Sequence, residues 1–117
     1  MVNLGGATEN DRKKIVITKD SKAFFHNNVD YCVGTGRMGL ALTEEYQEEL
    51  RLVQKEIGFK HIRGHGLFCD DMAIFQTYEE DGKVRVEYNY TYLDRVMDAY
   101  KKVGLRPFLE LGFMPKK

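Results

Sequence analysis

The stretch that decides the fold is LTEEYQEELRLVQKEIGFKHIRGHG, residues 42–66. Its apolar residues recur at spacings of three and four, which predicts an amphipathic helix lying on a sheet. These apolar positions are Leu42, Tyr46, Leu50, Val53 and Ile57. Thr43 is a good N-cap, and Gly58 suits the left-handed conformation that ends a helix. Residues 60–66 then form a predicted strand.

The same alternation extends in both directions from this stretch. Upstream, residues 31–33 predict a buried strand that ends in a glycine-rich corner at residues 34–36. Downstream, Thr91 caps a second amphipathic helix that ends at Gly104, and residues 106–113 form a third strand. Strands that alternate with helices through short joints predict right-handed βαβ crossovers and a parallel sheet.

The connection between the second strand and the second helix, residues 67–90, is long enough to hold structure of its own. Two alternating segments, residues 73–78 and 83–88, flank Asp81-Gly82. Asp-Gly between alternating apolar residues is a strong signal for a β-hairpin. In α/β proteins an insertion after the carboxyl end of a strand lies on the functional face, so we expect this hairpin beside the site.

Composition narrows the classes of function. The chain has 117 residues with 18 Lys and Arg against 18 Asp and Glu, so its formal net charge is zero. A chain without a basic excess is a poor ligand for nucleic acid, and its short apolar runs predict no membrane partner. Cys32 and Cys69 are too few for a disulfide framework and lack metal-ligand spacing, which favours a cytoplasmic protein with reduced thiols and no metal or cofactor.

One motif points elsewhere. Residues 34–39, GTGRMG, fit the G-x-G-x-x-G pattern of dinucleotide-binding loops. Such a loop opens its helix at the third glycine, whereas the best cap here is Thr43, and the acidic residue expected at the end of the second strand is missing. The alternative hypothesis is a self-sufficient α/β binding module that uses Gly34–Gly39 for a nucleotide, or the hairpin face for a carbohydrate or a protein.

The end of the second strand carries the more informative candidates. Side chains alternate along a strand, so Arg63 and His65 share one face, with His65 nearest the carboxyl end where parallel sheets bind ligands. We expect Glu110 on the third strand to pair with Arg63 as a buried, mutually neutralising support. His65 is the candidate substrate ligand, with a core histidine as the alternative. Asp70 and Asp71 follow the strand and either bind a polar ligand or cap the hairpin.

Four separated blocks of this sequence, in this order, closely resemble the N-terminal part of glycoside hydrolase family 39 β-xylosidases. They are YCVGTGRMGLAL at residues 31–42, IRGHGLFCDD at 62–71, YNYTYLDR at 88–95 and RPFLELGFMP at 106–115. The resemblance covers residues 29–117. It implies a (β/α)8 TIM barrel that removes xylose from short β-1,4-xylo-oligosaccharides with retention of configuration.

The resemblance also implies roles for single residues. Retaining hydrolysis uses an acid/base carboxyl and a nucleophilic carboxylate about 5 Å apart. In this family both glutamates lie on the fourth and seventh strands, so no catalytic residue is expected among these 117 residues. His65 is implied as a ligand for sugar hydroxyls, and Gly36 lies at the barrel rim beside Arg37. We take His65, Gly36 and Asp70 as candidate substrate-binding residues, with Arg63 and Glu110 as support.

The resemblance changes the expected domain organisation. Residues 29–117 become the first three strands and two helices of a barrel that needs about 250 residues. Residues 1–28 are interpreted as a leader whose residues 15–18 form a short strand, and an accessory β-sandwich is the candidate place for that strand. Open strand edges favour docking onto the remainder of a barrel or self-association. We therefore expect these residues by themselves to be inactive.

Overall fold

The structure, a computed structural model, describes residues 12–20 and 24–116 of the chain. It contains five strands, two α-helices and two short 3-10 helices. The strands are β1 (Cys32–Arg37), β2 (His61–His65), β3 (Phe75–Glu80), β4 (Lys83–Tyr88) and β5 (Arg106–Leu109). The helices are α1 (Glu44–Glu56) and α2 (Thr91–Lys102), and the 3-10 helices are Met38–Leu42 and Asp70–Met72. No helix within these residues is both long enough and apolar enough to cross a bilayer.

Three strands form a parallel sheet in the order β1-β2-β5, which confirms the predicted parallel pairing. The glycine-rich corner is a correction, because β1 runs through these glycines to Arg37 and does not end before them. The strand accommodates them with an irregularity in its register: Gly34 pairs with Arg63, and Gly36 pairs with Gly64. Gly36 has a φ of 78°, a conformation that favours glycine, so the glycines serve a bulge inside a strand.

Both helices are where the apolar periodicity predicts them, although their caps differ from the prediction. Thr43 is the N-cap residue of α1 by position, but its hydroxyl donates to the Leu40 carbonyl and leaves the helix amides uncapped. The N-cap of α2 is Tyr90, and the amide of Thr91 donates to the Asn89 side chain. Thr43 therefore stabilises the turn before α1, whereas Asn89, one residue ahead of the N-cap, accepts the first amide of α2.

The core lies between the sheet and the two helices. Burial alternates along β2, with Ile62 and Gly64 buried and Arg63 exposed, as a period of two requires. Ile62 packs in one cluster with Leu50 of α1 and Val96 and Tyr100 of α2. Both helices therefore cover the same face of the sheet, and none of the described residues forms a layer over the face that carries Arg63.

The hairpin prediction is confirmed. β3 and β4 are antiparallel, and the two residues of their turn, Asp81 and Gly82, both have positive φ. That backbone is the one that matches the twist of the flanking strands. The hairpin emerges from the carboxyl end of β2, as expected for an insertion on that side of the sheet.

Two predicted strands differ from the structure. The third strand ends at Leu109 and not at residue 113, because the Gly112 carbonyl accepts hydrogen bonds from the amides of Gly66 and Leu67 at 3.0 and 3.1 Å. The chain after β5 thus crosses the loop after β2 and leaves the sheet. Residues 15–18 form no strand here, and their place in an accessory sandwich stays a prediction. Residues 1–11 and 21–23 of the interpreted leader lie outside the described residues.

Candidate functional site

The sheet face opposite the helices carries Arg63, as the alternation along the second strand predicts. Its register places Phe108 of β5 beside Arg63, so the face carries a cation next to an exposed ring. Gly34 lies on the other side of Arg63, and an added Cβ there would have no atom within 4 Å. A strand glycine with free space above it leaves room for another backbone or a ligand to approach.

Arg63 and Glu110 form the predicted ion pair, with Nε of Arg63 2.8 Å from Oε1 of Glu110. Its environment is a correction to the sequence interpretation. The side chains are 60% and 33% exposed, so the pair is not buried. The physical reason is that no described element covers this face of the sheet, and water therefore screens the two charges.

His65 ends β2 and lies opposite Arg37 in the register with β1. The residue is half-buried, and its Nδ1 atom is buried without a hydrogen-bond partner among residues 12–20 and 24–116. The ring of Phe113 meets the imidazole edge to face, with centroids 5.7 Å apart and an interplanar angle of 85°. A half-buried imidazole beside an aromatic ring, at the carboxyl edge of a parallel sheet, has the features of a hydroxyl-binding group.

A cleft of about 360 Å³ opens at this carboxyl edge of the sheet. Its lining residues are Arg37, Cys69, Asp70, Asp71, Phe113, Met114 and Lys116. Across it, Nη2 of Arg37 donates to Oδ2 of Asp71 at 2.9 Å. Oδ1 of Asp70 accepts the backbone amide of Lys116 at 3.3 Å. The two adjacent carboxylates therefore reach in different directions, one to β1 and one to the segment after β5.

The geometry of residues 34–39 does not favour the dinucleotide alternative. Residues 34–37 belong to β1, and the helix that follows is a single 3-10 segment. A Cβ at Gly39 would lie 3.1 Å from Oδ2 of Asp71. This carboxylate occupies the space at the third glycine and already pairs with Arg37, so a phosphate there would meet a negative charge and compete with it for the only cation of residues 34–39.

A second cleft, of about 530 Å³, lies at the base of the hairpin and is mostly apolar. It is lined by Phe68, Ile74, Phe75, Tyr88, Tyr90, Met114 and Pro115. It meets the first cleft at Met114, which lines both. The hairpin thus borders the site, as its place after β2 predicts.

Two tyrosines on the helix side of the sheet, Tyr46 and Tyr100, have a shifted pKa. Burial raises the pKa of Tyr100, and the neighbouring Tyr46 adds to that rise. Burial also raises the pKa of Tyr46, with the charge of Glu49 as the second cause. Both phenols are therefore held neutral. Among the described residues no group of three or more His, Cys, Asp or Glu side chains is placed to hold a metal ion.

The structure brings His65, Gly36 and Asp70 to one edge of the sheet, with Arg63 and Glu110 below them on its open face. Sequence reasoning missed the wall that Phe113 makes and the bond between Arg37 and Asp71. Asp71 was predicted together with Asp70 at the end of the second strand, but its partner on β1 was not. The chain reversal that carries Phe113 onto His65 depends on backbone hydrogen bonds that no side-chain pattern encodes.

A parallel sheet with helices on one face, and a cleft beside the carboxyl ends of its strands, defines an α/β domain of the kind that carries enzyme sites. Residues 13–117 match the family model described as Glycosyl hydrolases family 39. The chain belongs to glycosyl hydrolase family 39.

Named relatives agree with this assignment. The chain is 49% identical over 104 residues to a β-xylosidase of Geobacillus stearothermophilus, covering 89% of this chain and 21% of that protein. It is 35% identical over 86 residues to a β-xylosidase of Caldicellulosiruptor saccharolyticus, covering 73% and 17%.

Solved structures give the same result. A family 39 β-xylosidase from Caulobacter crescentus superposes with a TM-score of 0.66 at 34% identity, covering 74% of this chain and 19% of that one. A family 39 enzyme from Xanthomonas axonopodis pv. citri gives a TM-score of 0.63 at 37% identity, covering 74% and 16%. The chain spans about a fifth of the length of the curated relatives it matches.

Proposed function

We propose that this chain contributes the first three strands of a (β/α)8 barrel whose activity is that of a retaining β-xylosidase. The observation that carries the proposal is the 49% identity to a β-xylosidase over 104 residues. Its substrate class is short β-1,4-xylo-oligosaccharides. The binding-module alternative has no comparable support, since the site residues and the family match occupy the same segment.

The open face supports the barrel. β1 and β5 each have one edge that no described strand pairs. Phe108, Leu111 and Phe113 expose 59%, 75% and 66% of their surface beside that face. Unpaired edges and exposed rings at one place are what neighbouring barrel strands cover. The remainder of the barrel is thus the proposed macromolecular partner, with self-association as its substitute when those strands are missing.

Within the proposed active site, His65 binds a hydroxyl group of the xylose at the cleavage point. The residue is half-buried at the carboxyl end of β2 with the Phe113 ring against its imidazole, and because Nδ1 is buried, the hydroxyl is expected at the other ring nitrogen, Nε2. Gly36 leaves the rim free of a side chain. Arg63 and Glu110 support β2 and β5 from below. The two catalytic carboxylates are supplied by residues outside these 117.

A chimera tests the proposal. This chain replaces its counterpart in the Geobacillus stearothermophilus β-xylosidase, and hydrolysis of 4-nitrophenyl β-xyloside is measured. The expected result is turnover within about tenfold of the parent. A displacement of the site residues by about 1 Å would lower the rate about a hundredfold, so a smaller loss indicates a correctly assembled site. The chain by itself is expected to give none. A folded but inactive chimera, or turnover by the chain alone, contradicts the proposal.

A further inference from the structure

We propose that Asp70 and Asp71 are positioning residues that together hold the Phe113 wall against His65, and that neither is a sugar ligand. The inference rests on the proposed function, because it assigns the construction of the same site. It differs from the sequence interpretation, which left Asp70 between a ligand and a hairpin cap.

The first step is the fixation of the loop after β2. Oδ2 of Asp71 lies 2.9 Å from Nη2 of Arg37, the last residue of β1. Arg37 is also the register partner of His65. The bond therefore links the loop to the same level of the sheet at which the imidazole lies. With side chains 55% and 46% exposed, the pair contributes little to the stability of the fold, and its value is geometric.

The second step is the fixation of the segment after β5. This segment touches the loop at two points on either side of Phe113. The Gly112 carbonyl accepts the amides of Gly66 and Leu67, and the amide of Lys116 donates to Asp70. A ring held between two attachment points has fewer accessible orientations than one held at a single point, so its edge-to-face contact with His65 is kept.

Both attachments start from the loop after β2. Because Asp70 and Asp71 are adjacent, releasing either one loosens the connection between β1 and the Phe113 segment. A carboxylate has acceptor sites on both oxygens, so a single bond does not by itself exclude a ligand role. Positioning is favoured because the bond that each carboxylate accepts joins two separate segments of the chain. A site that positions a sugar hydroxyl needs its walls fixed to well under 1 Å, which is the function that this double attachment serves.

Spectra of the full chain test the attachment without any need for activity. The chain is labelled with ¹³C-histidine, and the ring signal of His65 is assigned with His65→Gln. Phe113→Leu sets the size of the shift that loss of the aromatic wall causes. Asp70→Ala removes the acceptor of the Lys116 amide, and Asp71→Asn removes the charge that pairs with Arg37. Each is expected to move the signal at least half as far in the same direction. Asp98→Asn, an exposed change on α2, is the matched control and leaves the signal in place.

A charge swap separates positioning from a loss of folding. The double variant Arg37→Asp with Asp71→Arg restores the pair with opposite polarity and is expected to return the His65 signal. A His65 signal that Asp71→Asn leaves unmoved overturns the proposal, as does a swap that fails to restore it in a folded chain. If the chain self-associates, the same variants are recorded in the chimera, and the same changes of the His65 signal support or overturn the proposal.

Kinetics of the chimera give the complementary result. Asp71→Asn is expected to lower kcat/KM about tenfold, and the charge swap to recover most of it. A loss that the swap does not recover, with an unmoved His65 signal, makes Asp71 a direct ligand and overturns the proposal. An inactive chimera whose His65 signal responds as expected contradicts the proposed function alone.

Discussion

The side chain of Met38 lies against the backbone of Gly64 so closely that a Cβ on this glycine would be 2.6 Å from the methionine Sδ. The same Cβ would be 2.9 Å from Cγ2 of Thr35. Met38 is 1% exposed and has the Tyr100 hydroxyl 4.0 Å from its sulfur, so it has little room to retreat. The absence of a side chain at Gly64 is what lets the first 3-10 helix pack on the middle strand.

This contact predicts that Gly64→Ala destabilises the chimera by about 1–3 kcal/mol through overpacking. Gly34→Ala is the matched control, since it also lies in the sheet but its added Cβ meets nothing within 4 Å. Thermal unfolding of both variants checks the prediction. Equal melting temperatures for the two variants would show that Met38 yields without cost.

Gln54 joins both connections that lead into the sheet. Its Nε2 donates to the carbonyls of Phe59 and Val103 at 2.9 and 3.0 Å, ahead of β2 and β5 respectively. Gln54→Ala leaves these acceptors unpaired and is expected to cost about 1–3 kcal/mol. Gln76→Ala, which removes an exposed 3.4 Å bond, is expected to stay within about 0.5 kcal/mol. Urea unfolding compares the two, and a Gln54 variant as stable as the Gln76 variant contradicts the prediction.

Tyr100 predicts an alkaline loss of stability. Burial raises its pKa above the ordinary value of 10.0, so the folded state holds the proton more tightly than the unfolded state. The stabilisation is complete below pH 10 and decreases as the pH rises from there toward the folded pKa. Tyr100→Phe has no such proton and is expected to show a shallower decline above pH 10. Parallel declines in unfolding free energy for the two proteins would refute this origin.

The ion pair of Arg63 and Glu110 is expected to contribute less to stability in this chain than in a closed barrel. Because both side chains are exposed, Glu110→Gln is expected to change the stability of the chain by less than about 1 kcal/mol. In the chimera the proposed barrel covers this pair, and loss of one partner of a buried pair costs about 3 kcal/mol or more. Melting curves of both proteins check the contrast. A small effect in both places Glu110 in water and argues against a closed barrel over this face.

The elements that follow from local patterns were predictable from the sequence. The stripe from Leu42 to Ile57 gives α1, Asp81-Gly82 gives the hairpin turn, and the alternation of Ile62 and Arg63 gives the two faces of β2. Gly58 has a φ of 75°, as its place after the helix predicts. In each case the cause acts within a few residues, so the sequence contains it directly.

Features that depend on distant partners were not predictable. The strand through Gly34 and Gly36 exists because β2 supplies hydrogen-bond partners to a segment of low intrinsic strand preference. The end of β5 depends on the amides of Gly66 and Leu67, which draw the Gly112 carbonyl away from the sheet. The exposure of Arg63 depends on what lies above the sheet. For His65 the strand position was predictable, but its contact with Phe113 was not.

The central claim is that His65 binds the sugar in a family 39 β-xylosidase site, and the direct measurement is kcat/KM of the chimera for 4-nitrophenyl β-xyloside. His61, on the same strand, faces the opposite end, where its Nδ1 lies 3.2 Å from the Tyr31 carbonyl. His65→Ala is expected to lower kcat/KM about tenfold, because a lost hydrogen bond to substrate costs about 1–1.5 kcal/mol. The melting temperature is expected to stay nearly unchanged, and His61→Ala is expected to keep full activity. Equal kcat/KM for the two variants, or a large loss of stability in the His65 variant, would contradict the claim.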